Sequence, residues 1–304
     1  MKWNLKGLIF DPREKLGWAL DSALQPTPLV LENKVRVYFG GRDGSGISRI
    51  GYVDLSKSDV TKVLGWSESP ALDIGEDGCF DDSGVVPSAV IKIGEEIFLF
   101  YAGYQLSTKV RFCVLGGLAV SRDGGHSFKR VKRTPVFERT NTETLFRVPH
   151  SVLLEDGIWK VWYGGGDRFT RGQEKSLPIY NIRYIESSGP YSFGENGKVI
   201  LETQDEEYRL GRPYLFKKNN EEYYLFYGYS SEASPYKLGY AFSKDLKNWQ
   251  RQDSSIGLSL SNSGWDSQMM AYPAVIRISD RIYMLYNGND YGKEGFGVAE
   301  LIEW

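Results

Sequence analysis

Apolar positions in this chain come in short bursts, and no long stretch repeats with a helical period between caps. Runs such as Ile97-Phe98-Leu99-Phe100-Tyr101 are hydrophobic at nearly every position and end in clusters of Gly, Ser, Asn and Asp. Short β-branched and aromatic runs bounded in this way predict strands. Five segments share one pattern: a proline, an apolar strand, a turn, a second apolar strand ending in Tyr and small residues. They are PTPLVLENKVRVYFGG, PSAVIKIGEEIFLFYAG, PHSVLLEDGIWKVWYGG, PYLFKKNNEEYYLFYG and PAVIRISDRIYMLYNG. Their prolines are Pro26, Pro87, Pro149, Pro213 and Pro273, spaced by 61, 62, 64 and 60 residues.

Such a period is the mark of a repeat architecture. Each unit reads as a small antiparallel sheet whose first strand starts at the proline, where a missing N–H is tolerated. Third strands carry Gly51-Tyr52, Gly117-Leu118, Arg183-Tyr184, Gly239-Tyr240 and Gly297-Val298, and fourth strands include Phe128–Val131 and Trp249–Arg251. Second strands that are apolar throughout are buried on both faces, as stacked sheets require. The predicted fold is all-β: a five-bladed β-propeller of four-stranded antiparallel blades, a form that protects strand edges. The fifth unit runs out after its third strand, and the segment Leu5–Phe10 belongs to no unit. That segment is expected to supply the missing outer strand and close the ring, making residues 1–304 one domain.

Composition narrows the function. Of 304 residues, 41% are hydrophobic and 25% charged, which is ordinary for a folded domain. A net charge of −2 speaks against a nucleic-acid partner, which needs a concentrated basic face. No apolar run is long enough to span a membrane. The opening MKWNLKGLIFDPREK has too short an apolar stretch for a signal peptide, so the expected location is cytoplasmic. Two cysteines, Cys79 and Cys113, and two histidines, His126 and His150, leave no disulfide framework, no metal site and no implied cofactor. Aromatics are abundant: 15 Phe, 8 Trp and 20 Tyr, which suits stacking on sugar rings.

Because strands alternate in direction, segments preceding the prolines and loops following the second strands converge on one face, around the channel mouth. They contribute Asp81, Asp82, Glu207, Arg212 and Asp266 from the first set and Arg42, Asp43, Tyr104, Asp167, Arg168, Tyr229, Asn289 and Tyr291 from the second. Carboxylates, amides and aromatics together suit a polyhydroxylated small molecule or oligosaccharide. On the opposite face, Ser121–Phe128 and Ser243–Trp249 read as structural Asp-centred turns.

The segments Tyr38–Asp43, Ser48–Gly51, Phe80–Gly84, Gly117–Gly125, Gly264–Asp266 and Tyr286–Asn289 through Gly297 resemble the five-bladed propeller superfamily of glycoside hydrolases, families 32, 43, 62, 68 and 130, and within it a bacterial group of glycosidase-like proteins. The resemblance implies cleavage of a glycosidic bond by acid/base catalysis between two carboxyl groups. Asp82 is the first candidate, partnered by Asp266, Glu207 or Asp43; hydrolysis is the expected reaction. Arg42, Arg168, Arg212 and His150 form a candidate anion site, which fits the alternative of phosphorolysis with inorganic phosphate. The sequence departs from the superfamily pattern at Gln25 and Val148, where an acid is expected. That favours a third reading, a glycan-binding propeller without catalysis.

Overall fold

The computed structural model describes residues 1–13, 15–195 and 197–304. It is all-β. The first unit is a four-stranded sheet in the order β2 (Asp21–Val30), β3 (Lys34–Arg42), β4 (Ser48–Ser56), β5 (Val63–Trp66). Another four-stranded sheet contains β18 (Ala271–Ile278), β19 (Arg281–Asn287), β20 (Phe296–Glu303) and, on its outer edge, β1 (Lys2–Phe10). The N-terminal strand thus pairs antiparallel with the last strand of the chain, from Lys2↔Glu303 to Phe10↔Phe296.

The other strands form one twelve-stranded sheet, where separate sheets were expected. It holds three antiparallel ladders. They are β6 (Val85–Ile93) to β9 (Lys129–Arg130) through β7 (Glu96–Leu106) and β8 (Phe112–Ser121); β10 (Phe146–Glu155) to β13 (Lys198–Leu201) through β11 (Ile158–Arg171) and β12 (Ser176–Ser187); and β14 (Glu207–Lys217) to β17 (Gln250–Arg251) through β15 (Tyr223–Ser231) and β16 (Lys237–Ser243). Short parallel bridges join them: Phe146↔Val114 and Arg147↔Leu115, then Tyr180↔Arg209. Among the described residues no helix is long and apolar enough to cross a membrane.

Period-two alternation explains the core. In β7, Ile97, Leu99 and Tyr101 pack against the first unit, while Phe98 and Phe100 pack against the third. The same holds around the molecule: apolar clusters lie between units two and three, three and four, and four and five, and one combines Phe39 and Val53 of the first unit with Leu285 and Phe296 of the last.

The prolines do not start the first strands. They lie inside them, each at a register shift of one residue. A bulge leaves an N–H without a ladder partner, so it is where proline fits within a sheet. In β6 and β10 the extra residue follows the proline, Ser88 and His150. In β2, β14 and β18 the residue before the proline has positive φ: Gln25 (52°), Arg212 (52°) and Tyr272 (57°). A bulge re-aims a side chain, so each first strand turns one residue out of the sheet pattern.

Candidate functional site

Four of these bulge residues, Gln25, His150, Arg212 and Tyr272, line a cavity of about 80 Å³. A second cavity of about 210 Å³ shares Gln25, Tyr104, Tyr180 and Tyr272 with it. We refer to them as floor and vestibule. Two long hairpins wall the vestibule: β7–β8 brings Arg111 and Phe112, and β11–β12 brings Lys175, Leu177 and Pro178. Phe112, Phe146 and Phe169 hold these hairpins together, with ring centroids 5.3–6.1 Å apart. Roomier clefts of about 620 and 680 Å³ lie elsewhere, along the Asp123 turn and along Asp253–Leu260, but neither contains a bulge residue.

The chemistry of the lining is one-sided. Arg42, Arg111, Lys175 and Arg209 line the vestibule and Arg212 the floor, with Tyr104, Tyr180, Tyr208, Tyr272 and Tyr291. Among the described residues no Asp or Glu lines either cavity. Arg209, 9% exposed, donates from Nε to Ser230 Oγ (2.8 Å) and from a terminal nitrogen to the Tyr291 hydroxyl (3.1 Å), with the Tyr236 ring 4.2 Å beneath it. Arg212, 1% exposed, donates to Gln25 Oε1 (3.0 Å), Pro26 O (2.7 Å) and Thr27 Oγ1 (2.9 Å). Neither has a carboxylate partner among the described residues. Burial pulls the Arg212 guanidinium down to about 9. Burial, followed by the Arg212 charge, holds His150 well below the usual imidazole range, so it is neutral at pH 7. Burial pushes the Tyr104 phenol up to about 12 and raises Tyr208 and Tyr272. These three are hydrogen-bond donors at neutral pH, not phenolate nucleophiles.

The acids nominated from sequence lie elsewhere, each in its own set of bonds. Asp43 accepts from Arg49 (2.7 Å) and from the amides of Ser45 and Ile47; burial raises its carboxyl, but these bonds outweigh it and hold the group below its usual range. Asp82 accepts from the Gly78 amide (3.0 Å) and the Ser83 hydroxyl (2.7 Å), closing its own turn. Glu207 accepts both terminal nitrogens of Arg251, at 2.8 and 2.9 Å. Asp266, 3% exposed, accepts the Tyr286 hydroxyl at 2.9 Å. Asp81 accepts the Tyr101 hydroxyl (3.0 Å) and Arg130 (2.7 Å).

These last bonds recur. The tyrosine ending each second strand meets a carboxylate in four units: Tyr101–Asp81, Tyr163–Glu143 (2.6 Å), Tyr227–Asp253 (2.6 Å) and Tyr286–Asp266. Only in the first unit does the tyrosine, Tyr38, use a carbonyl instead, that of Gly125. Glu143 is fully buried and also holds Arg147 (2.5 Å) and Arg183 (2.7 Å). In the second unit the third-strand glycine makes room for the tyrosine: a Cβ on Gly117 would lie 2.1 Å from the Tyr101 ring. In three units the acid six or seven residues before the proline is therefore part of a structural latch; in the fourth that acid, Glu207, binds Arg251, which also binds the latch carboxylate Asp253.

Of the nominated binding residues, Arg42, Tyr104, His150, Arg212 and Tyr291 line the cavities. Asp81 is in a latch. Asp167 and Arg168 pair with each other at 2.9 Å, exposed. Tyr229 borders the Asp253 cleft, and Asn289 ties Gln268, Met269 and Gly264 into one loop. Sequence reasoning passed over Gln25, Arg111, Lys175, Tyr180, Tyr208, Arg209 and Tyr272 as ligand contacts. One signal was available: Gln25, Arg212 and Tyr272 occupy the position directly before the proline, where the other two units have Val86 and Val148. Among the described residues there is no cluster of metal-ligating side chains.

No protein-family model matches the chain. It is similar over most or all of its length to solved structures that include a glycoside hydrolase (TM-score 0.75, 16% identity, covering 100% of this chain and 93% of that one) and a thermostable family-43 glycoside hydrolase (TM-score 0.69, 18% identity, 93% and 89%). It is 30% identical to the uncharacterized protein Rv1502 of Mycobacterium tuberculosis (strain ATCC 25618 / H37Rv) over 303 residues, 99% of each chain. The chain belongs to the family of Rv1502, and it shares its fold with the propeller glycoside hydrolases.

Proposed function

We propose that the floor and vestibule bind a carbohydrate bearing a negatively charged group, and that they do so without the carboxylate pair of a glycosidase. We also infer that the five units are four-stranded blades of one propeller domain spanning residues 1–304, with β1 as the outer strand of the last. In support of that architecture, each first strand touches the next and β18 touches β2, so contacts run in a cycle with the apolar clusters. The site then lies at the mouth of the central channel.

One observation carries the functional reading. Two buried arginines, Arg209 and Arg212, line the vestibule and the floor, whose described lining holds no carboxylate, while Arg209 also borders an adjoining cleft of about 340 Å³ that Glu174 and Glu232 line. An uncompensated buried charge is strongly unfavourable, and an anionic ligand removes that cost. Tyrosine rings supply apolar faces for a sugar and hydroxyls to orient it. The carbohydrate part of the reading comes from the glycoside-hydrolase fold. Calorimetric titration with a sugar phosphate, a sugar acid and their neutral parents tests it. The anionic forms should bind about 10- to 100-fold more tightly, the range of a charge-assisted hydrogen bond, and weaken with added salt. Equal affinity for the neutral parents sinks the proposal.

The whole-length likeness to glycoside hydrolases favours hydrolysis as a second reading. It needs two carboxyl groups on either side of a bound glycosidic link. Turnover of a glycoside that disappears in Asp82→Asn or Asp266→Asn would establish it. Phosphorolysis needs one catalytic acid at the same place and draws no support from a lining without one.

A further inference from the structure

We infer that Gln25 is the ligand-contacting group of the floor and Arg212 its positioning residue, together presenting an amide donor to an oxyanion oxygen of a carboxylate or phosphoryl group. This deepens, and rests on, the reading of the cavity as an anion site.

Gln25 is fixed at every point. Its backbone sits at φ 52° in front of a proline, a strained conformation for a residue with a side chain. Such strain persists only where the surroundings over-determine it, which is characteristic of binding and active sites. Here the Gln25 N–H donates to Asn287 Oδ1 at 2.7 Å, and fully buried Asn287 is itself locked by donating to Ala23 O and Gly295 O. The Gln25 carbonyl accepts from Thr27 Oγ1 at 2.9 Å. Arg212 reaches over from the fourth unit to take Oε1 at 3.0 Å and also grips Pro26 O and Thr27 Oγ1.

Arg212 can only donate, so it fixes the amide with its oxygen turned toward the guanidinium and its NH₂ turned away. Among the described residues Nε2 has no hydrogen-bond partner. Gln25 lines both cavities, so this donor meets the ligand. The Tyr104 and Tyr272 phenols beside it keep their protons. A floor of donors matches an oxygen that carries lone pairs and no proton. The space, about 80 Å³, admits a single compact group.

The chain has only two histidines, and His150 shares the floor with Gln25 while His126 is an exposed turn residue. Histidine NMR signals therefore report on the floor with an internal control. Inorganic phosphate and acetate are titrated separately into the whole protein. A saturable shift of His150, with His126 still, is expected for at least one; which anion acts tells a phosphoryl group from a carboxylate. Gln25→Glu should abolish the response without lowering the unfolding midpoint, because its own carboxylate pairs with Arg212. Arg212→Met should weaken the response by about tenfold or more, as expected when a charge-assisted orienting bond is lost. If His150 ignores both anions, or if Gln25→Glu responds like the wild type, the inference is wrong. Anionic sugars that bind while His150 stays silent would remove this inference and leave the proposed function standing. A His150 response without any anionic-sugar binding would do the reverse.

Discussion

The tyrosine–carboxylate latches and the bulged residues of the floor arise from neighbouring positions of the same repeat, yet they follow opposite rules. The latch recurs in four of the five units with nearly the same groups: Asp81, Glu143, Asp253 and Asp266 on Tyr101, Tyr163, Tyr227 and Tyr286. The bulge residues Gln25, Ser88, His150, Arg212 and Tyr272 differ in every unit. A side chain that solves a packing problem is needed wherever that problem recurs. A ligand is met once, and under the proposed reading four of the units each supply a different bulge residue to it. The electrostatics divide in the same way. In the latch of the third unit, buried Arg147 and partly exposed Arg183 share the carboxylate of Glu143; at the floor and vestibule, buried Arg212 and Arg209 have no carboxylate partner among the described residues.

The largest effect that sharpens this contrast is expected at Glu143. Glu143→Ala strands the Arg147 guanidinium and the Tyr163 hydroxyl in the core and takes a partner from partly exposed Arg183, and should destabilise the protein by about 3–5 kcal/mol in denaturant unfolding. The fraction that remains folded should keep its ligand affinity. A loss under 1 kcal/mol would mean that the latch is not structural.

Arg209→Met is the mirror experiment. It removes a buried charge that no carboxylate compensates, so stability should hold or rise. Affinity for the anionic sugar should fall by about 10- to 100-fold, or roughly 1.5–3 kcal/mol. Loss of stability with affinity unchanged would place Arg209 with the latches and break the comparison.

Next in size is a pH effect at the floor. Unfolded histidine titrates near 6.5, while burial and then Arg212 hold His150 well below that in the folded protein. Between those values the unfolded chain binds one more proton. Stability therefore falls as pH drops below about 6.5, by up to about 1.4 kcal/mol per unit. His126 is also lowered, but it is exposed and adds little. His150→Asn should flatten the slope between about pH 6.5 and pH 5, before most carboxylates titrate. His126→Asn should not.

Most of the fold was legible because it depends on period and pattern. The proline spacing gave the five units, and the fully apolar second strands gave burial on both faces. The lone segment Leu5–Phe10 pointed to the pairing now seen between β1 and β20. The site was harder for a physical reason. Regularity drew attention to the acid six or seven residues before the proline, yet regularity is what a latch produces. Arg209 and Tyr180 depend on a parallel bridge between β12 and β14 and on how far two hairpins extend, and neither distance is written in local sequence. That Gln25 and Arg212 act as one unit appears only when the first and fourth units meet.

The smallest expected effect is the most direct test of the contrast. Asp82 lines neither the floor nor the vestibule and closes a turn with Gly78 and Ser83. Asp82→Asn keeps its oxygen for the Gly78 amide and can reverse the second bond, its NH₂ donating to Ser83 Oγ, so stability should stay within about 0.5 kcal/mol, as for most surface changes, and affinity for an anionic sugar should not move. Asp266→Asn keeps an acceptor for the Tyr286 hydroxyl and should lose no more than about 1 kcal/mol, the worth of one hydrogen bond, again with affinity intact. If Asp82→Asn leaves the fold untouched but removes glycoside turnover, a carboxylate outside the lined cavities reaches the ligand after all. The residues that differ between units would then not be the whole site, and the hydrolase reading would displace the anion-binding one.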